Sequence, residues 1–222
     1  MARNGGTRTR LLAAASELFA ERGFHGTTVR DIAARAKVNV AAGHYHFGSK
    51  KALYLEVLRA QFAEVRALLH ARGASVDEAN LARCPPPELG RLLRARIKVM
   101  LELLIGPPPG LHGTLMQREM CDPSEALPVI VEEFIRPMLA ETTAIVSGLE
   151  PGLGEAALER CALSVIGQAL FYRVTMPAML LMRGERTYPR ALAASLADHI
   201  AAFSLAGMAG LGAPRKRRRH AH

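Results

Sequence analysis

The sequence predicts an all-α protein of about nine helices, and three observations predict it. Half of the 222 residues are hydrophobic while aromatics make up 5%, Trp is absent, and Ala and Leu dominate, a mixture that favours helices over strands. Apolar residues recur every three or four positions. Helix-capping residues and Gly or Pro stops separate the periodic runs.

Leu11, Leu12, Ala15, Leu18 and Phe19 recur at helical spacing and Gly23 supplies a stop, which predicts a first helix over residues 7–22. Thr28 opens the second helix, with Asp31 three residues on as a capping-box partner, and Val29, Ile32, Ala33 and Ala36 form its stripe. Lys37-Val38-Asn39 breaks the pattern. Asn39 caps a short third helix through Phe47, and Ser49 caps a longer fourth that runs to about residue 72. Residues 73–87 read as a linker, since Cys84-Pro85-Pro86-Pro87 does not suit a helix interior. A helix over 88–105 ends at Gly106-Pro107-Pro108-Pro109-Gly110. Further helices are predicted over 113–120, 125–148, 155–182 and 190–206, with Pro128, Pro137 and Pro177 starting, kinking or ending them. The chain shows no internal repeat.

The formal net charge of +9 is segregated. Residues 1–60 hold ten Lys/Arg against four Asp/Glu, residues 61–210 fourteen against sixteen, and residues 211–222 five against none. A basic end on a near-neutral body suits a polyanion partner, although a solvated basic surface would look the same. Cys84, Cys121 and Cys161 are far apart, with no C-x-x-C pair and no His at zinc-ligand spacing, so reduced thiols and no metal or cofactor are expected. The basic, polar residues 1–10 lack the apolar core of a signal peptide, and a cytoplasmic location is expected. Residues 164–182 approach membrane-span length, but a charge such as Arg173 near the middle costs about 2.5–3.5 kcal/mol there, which favours a buried helix and no membrane partner.

Function is carried by residues 28–47. Two short helices joined by a three-residue turn have helix-turn-helix spacing, in which the first helix crosses the phosphate backbone and the second enters the major groove. Ala33, Ala36, Ala41 and Ala42 let the helices cross closely.

The run Thr27-Thr28-Val29-Arg30-Asp31-Ile32-Ala33, then Val38-Asn39-Val40-Ala41-Ala42, then Tyr45-His46-Phe47-Gly48-Ser49-Lys50-Lys51-Ala52-Leu53 resembles the N-terminal signature of TetR-type regulators. The resemblance covers residues 9–58 without a gap. It implies a three-helix DNA-binding head over residues 1–53, a helical dimerisation and effector-binding domain over 54–210, and a basic tail over 211–222. It also implies phosphate contacts by Thr27, Thr28 and Lys50, with Tyr45 and His46 beside the backbone, and base reading by Arg30, Asn39, Val40, Ala41, Ala42 and His44. Of these, Arg30, Asn39 and His44 can bond base edges, whereas Val40 and the alanines suit thymine methyls. Tyr45 and Val38 have an alternative place in the core. Gly43 departs from the pattern, standing where a branched apolar residue is usual; a helix-interior glycine costs about 1 kcal/mol relative to alanine, and a hole in the packing is expected beside it. Arg3, Arg8 and Arg10, and the tail cluster Arg215 to Arg219, add basic charge for solubility or nonspecific contact.

The segment His112 to Pro123, with Pro128 and Pro137-Met138, looks like the C-terminal domain of the CecR subgroup of TetR regulators. Arg118, Glu119 and Arg173 sit among apolar neighbours, where a charge must be paired or serve a ligand. A Glu119–arginine ion pair is one outcome and effector binding the other. Met100, Met116, Met120, Phe134, Tyr172 and Met176 line either an adaptable pocket or plain core. The last two long helices carry Ala/Leu faces suited to a homodimer, which implies a palindromic double-stranded operator. The family resemblance implies a repressor released by a small molecule; a regulator without an effector, or controlled by a partner, fits the residues as well. An enzyme would have to use Cys121 or Cys161 as nucleophile with His112 as base, and no catalytic motif supports that reading.

Overall fold

Local capping fixes the first four helices. In the computed structural model, which describes residues 2–75, 78–106, 111–189 and 191–212, α1 (Ala2–Arg22) stops where Gly23 takes φ 75° and donates to the Phe19 carbonyl. Thr28 and Asp31 close a reciprocal capping box at the start of α2 (Val29–Arg35). The chain reverses through Lys37, whose φ of 55° lies in the left-handed region. Asn39 Oδ1 accepts from the Ala41 N–H to begin α3 (Val40–Phe47), and Ser49 caps α4 (Lys50–Ala71).

A one-turn α5 (Glu78–Leu81) lies inside the stretch predicted as linker. The proline run is likewise not all loop, because Pro86 and Pro87 form the first turn of α6 (Pro86–Ile105), where a missing N–H removes no hydrogen bond. Next come α7 (Leu111–Cys121), α8 (Leu127–Ile130) and α9 (Arg136–Leu149). The predicted single helix over 125–148 runs without a gap from Leu127 to Leu149 but shifts register through a π turn at Val131–Ile135, where Arg136 N–H bonds the Val131 carbonyl. Pro137, with no N–H to offer the preceding turn, accounts for the shift. The predicted helix over 155–182 is two helices, α10 (Glu155–Val174) and α11 (Met176–Arg183), bent by 61° ahead of Pro177. The described residues end in α12 (Leu192–Gly212). All regular structure among the described residues is helical. Pro107 to Pro109, the tail from Pro214, and the side chains of Arg3 and His112 lie outside the described residues.

The helices enclose two apolar cores. The first holds Leu11, Leu18, Phe19, Ile32, Leu53 and Tyr54 from α1, α2 and α4, and is completed by Leu115, Ala126, Ile130 and Phe134 from α7, α8 and the π turn. The second is built from α6, α9, α10 and α12 around Leu93, Ile97, Leu101, Val165 and Ile200. By length and composition α12 could cross a membrane, but Leu196, Ala197, Ile200 and Ala201 on one face are buried in this second core, where α12 packs along α6. Arg96, buried beside α9, is neutralised by Glu141 at 2.6 Å and also donates to the Ala74 carbonyl.

Candidate nucleic-acid interface

Helices α2 and α3 stand on the head core with one face of each turned outward. On α3 the buried side is Gly43 and Phe47, with Ala42 packed against the same core, while Ala41, His44 and Tyr45 are exposed and Val40 and His46 are half-buried. Asn39 precedes them, exposed, its carbonyl oxygen used by the cap. Tyr45 is 78% exposed, with its ring edge-on to His46 at 5.2 Å, so it is not part of the core; Val38 is. Arg30 projects from α2 and makes no ion pair among the described residues. By contrast Arg35 bonds Glu17 and Glu21, and Arg8 bonds Glu56 at 2.5 Å while lying over the Phe47 ring. Arg30, Asn39, Ala41, His44 and Tyr45 are therefore all open to solvent, while Ala42 packs on the core.

The residues assigned to phosphates are placed differently from one another. Thr27 is fully buried and its hydroxyl lies within hydrogen-bond distance of the carbonyls of Leu18 and Gly23, so it ties the end of α1 to the start of α2. Thr28 is exposed, but its hydroxyl donates to Asp31 at 2.6 Å and accepts from the Asp31 N–H. The Thr28 hydroxyl and N–H, both donated to Asp31 Oδ2, hold that carboxyl below its ordinary range. Lys50 donates to the Phe24 carbonyl at 3.0 Å with its ammonium 4.1 Å from the Phe24 ring centre, which braces the turn before α2.

Gly43 does not leave the expected hole. A Cβ placed there would come within 2.9 Å of Val29 Cγ1, so the valine fills the space and α2 and α3 approach at this point. Lys37 opens the break that the sequence marks between the two helices; its left-handed backbone is set by the turn there, and no spacing rule foretells that conformation.

The body residues proposed for an effector fall into separate places. Met116 and Phe134 belong to the head-side core, where Phe134 stacks on Phe62 at 4.1 Å, whereas Met100, Tyr172 and Met176 border the body core and Met120 is 48% exposed. The expected Glu119–arginine pair is not formed. Glu119 is buried and accepts from Tyr54 Oη at 2.9 Å and from the Ser124 N–H and hydroxyl, each at 2.9 Å. Arg118 donates instead to the carbonyls of Ala20 and Glu21, at 2.8 and 2.7 Å, which are left without partners at the end of α1. Burial and then the charge of Glu119 push the Tyr54 phenol well above its ordinary value. A cleft of about 100 Å³ opens at this seam between head and body, bordered by Arg22, Phe24, Tyr54, Arg118 and Glu119.

Comparison with known proteins agrees with this arrangement. Residues 11–57 match the family described as bacterial regulatory proteins of the TetR family, and residues 89–208 match the C-terminal domain of the HTH-type transcriptional dual regulator CecR. The chain is 30% identical over 185 residues to CecR from Shigella flexneri, which spans 80% of each protein. It is 45% identical over 74 residues to the transcriptional repressor Rv3405c of Mycobacterium tuberculosis, 33% of this chain and 39% of that one. A crystal structure of a transcriptional regulator from Rhodococcus sp. Rha1 superposes with a TM-score of 0.66 at 21% identity, over 90% of this chain and 96% of the other. With an outward helix-turn-helix on a helical body and both matched regions in order, the chain is a DNA-binding transcriptional regulator of the TetR family with a CecR-type C-terminal domain.

Proposed function

We propose that this regulator acts in the cytoplasm as a homodimeric repressor on a palindromic operator, from which a small molecule held in the body releases it, and that it catalyses no reaction. The observation that carries the dimer is a pair of apolar faces turned to solvent on α10 and α12. Leu163, Leu170, Phe171 and Val174 line the outer side of α10, and Phe203 and Leu211 that of α12; Phe171, Val174 and Phe203 are 52%, 61% and 65% exposed. Gly167, Gly207 and Gly210 lie on the same helices with open space where a Cβ would stand, so a second copy can approach closely. Contiguous apolar surface of this kind suits a two-fold helix–helix contact. Two heads related by that axis would meet half-sites about 34–36 Å apart, or a multiple of it.

Phe203→Glu combined with Leu170→Glu tests the reading. The double variant is expected to run as a monomer in light scattering and to lose operator binding in a gel shift, with its helical circular dichroism retained. A variant that stays dimeric would sink it. The seam cleft, at about 100 Å³, is smaller than the roughly 300 Å³ of small ligand sites, so the effector reading does not rest on it, and a regulator without an effector is the second reading. Screening compounds for release of the operator from the wild-type dimer separates the two.

A further inference from the structure

Of the three charges that the sequence places among apolar residues, the structure accounts for two. Glu119 has Tyr54 and Ser124, and Arg118 has the carbonyls that end α1. Arg173, in the last turn of α10, is the exception. Its Nη1 donates to the Leu104 carbonyl at a long 3.4 Å and its Nη2 to Thr114 Oγ1 at 2.7 Å, both neutral acceptors, while Nε is buried with no hydrogen-bond partner. Gly113 faces that nitrogen closely: a Cβ there would lie 3.4 Å from Nε, so the glycine leaves the guanidinium edge uncovered by a side chain. No carboxylate pairs with Arg173 among the described residues, and residues 107–112, which precede Gly113, include no Asp or Glu. Burial accordingly pulls its pKa down, with no opposing charge to hold it up. The surroundings are apolar. Leu104 lies against Gly113 and Met100 one turn earlier on α6 shares its face, both half-buried at the rim of the body core, as are Tyr172 and Met176.

We propose that Arg173 is the anion receptor of the body, and that it takes the carboxylate of a small molecule whose remaining part is apolar, set between α6, α7 and α10. A guanidinium presents Nε and one Nη as a parallel fork that matches two carboxylate oxygens. Nε is unused, and the bond from Nη2 to the Thr114 hydroxyl is one that a charged acceptor outcompetes. The inference deepens the effector reading above and rests on it for its regulatory consequence. Thr114 and Arg118 are four residues apart, on one face of α7, so the helix that Arg173 holds at one turn grips the end of α1 at the next. A carboxylate that draws Arg173 off Thr114 frees α7 from the body and thereby alters the seat of the head.

The test uses the full-length dimer and straight-chain carboxylates from butanoate to dodecanoate, each beside the alcohol of equal length, with binding read by calorimetry and release by gel shift. The best carboxylate is expected to bind at least about tenfold more tightly than its alcohol, and Arg173→Met to erase that preference. Arg173→Lys, which keeps charge but loses the fork, is expected to bind several-fold more weakly than wild type, and Thr114→Val, which removes the competing hydroxyl, more tightly. No preference in the wild type, or an unchanged preference in Arg173→Met, overturns the proposal. Binding of the carboxylate without release of DNA would support the site while removing the effector reading. Release by a neutral compound from wild type and Arg173→Met alike, with no carboxylate preference, would keep the effector reading and overturn the anion site.

Discussion

The Tyr54 hydroxyl donates to Glu119 at 2.9 Å inside the protein, so a single buried carboxylate joins α4, which leads out of the head, to α7 of the body. Ser124 supplies the other oxygen with its N–H and hydroxyl, which leaves Tyr54 as the only described donor to Oε2. Buried acceptors that lose their donor keep the desolvation cost without the compensation.

Tyr54→Phe should therefore destabilise the protein by about 1–3 kcal/mol, read as a lower urea midpoint with an unchanged slope. Glu119→Gln should also destabilise, since an amide NH₂ must face either the phenol or Ser124. The double variant should lose less than the two losses added together, because each single change removes the same bond. Additive losses would show that the two residues act separately.

Gly43→Ala sets a gain against a clash. Helix propensity favours alanine by about 1 kcal/mol, but the added methyl would lie 2.9 Å from Val29 Cγ1, and either Val29 turns to a strained rotamer or α3 moves off α2 to admit it. Operator affinity is expected to fall although thermal stability changes little. Val29→Ala in the same chain should restore affinity by clearing the space. If Gly43→Ala binds operator as the wild type does, the close approach of the two helices does not position the reading face.

These two cases mark what the sequence could disclose. Thr28, Asn39 and Ser49 were legible as caps because each acts on a backbone N–H two or three residues away. Proline positions announced breaks at 137 and 177 but not their form, a π turn in one case and a 61° bend in the other, since neighbouring packing decides how the freed carbonyls are met. Arg118 was legible as a charge needing a partner. Its acceptors are main-chain carbonyls 97 and 98 residues earlier, which carry no sequence signature. Gly43 showed a missing side chain, and only the fold shows that Val29 occupies the place.

Acid should weaken the protein through a defined set of carboxylates. Hydrogen bonds from Thr28 hold Asp31 low, the fork of Arg59 at 2.7 and 2.8 Å holds Glu133 low, and Arg94 does the same for Asp198. A carboxylate with a depressed folded-state pKa contributes stability that is present above its unfolded value and is lost as pH falls through the folded one. Stability should thus be level near neutrality and decline as pH drops through the ordinary carboxylate range of about 4 and below. Asp31→Ala removes one such group and the capping box with it, so its melting temperature should be lower at pH 7 and should fall less steeply toward pH 3 than that of the wild type. Parallel curves would mean that Asp31 titrates alike in both states.

The exposed residues Arg30, Asn39, Ala41, His44 and Tyr45 are expected to make two kinds of DNA contact. Arg30 makes no ion pair among the described residues, and His44, whose Nδ1 lies 3.4 Å from the Gly48 carbonyl, has Nε2 for a base; a side chain that bonds a base edge in two places discriminates by about 1–3 kcal/mol. Arg30→Ala and His44→Ala should each lower affinity for the operator by roughly 5- to 150-fold and leave random duplex nearly unaffected. Tyr45, whose hydroxyl suits a phosphate or sugar, should behave otherwise: Tyr45→Ala is expected to weaken operator and random DNA in equal proportion, since backbone contacts carry no sequence information. The ratio of operator to random affinity, measured at one fixed salt concentration, is the discriminating quantity. An unchanged ratio in Arg30→Ala/His44→Ala would show that the outer face of α2 and α3 does not read the bases.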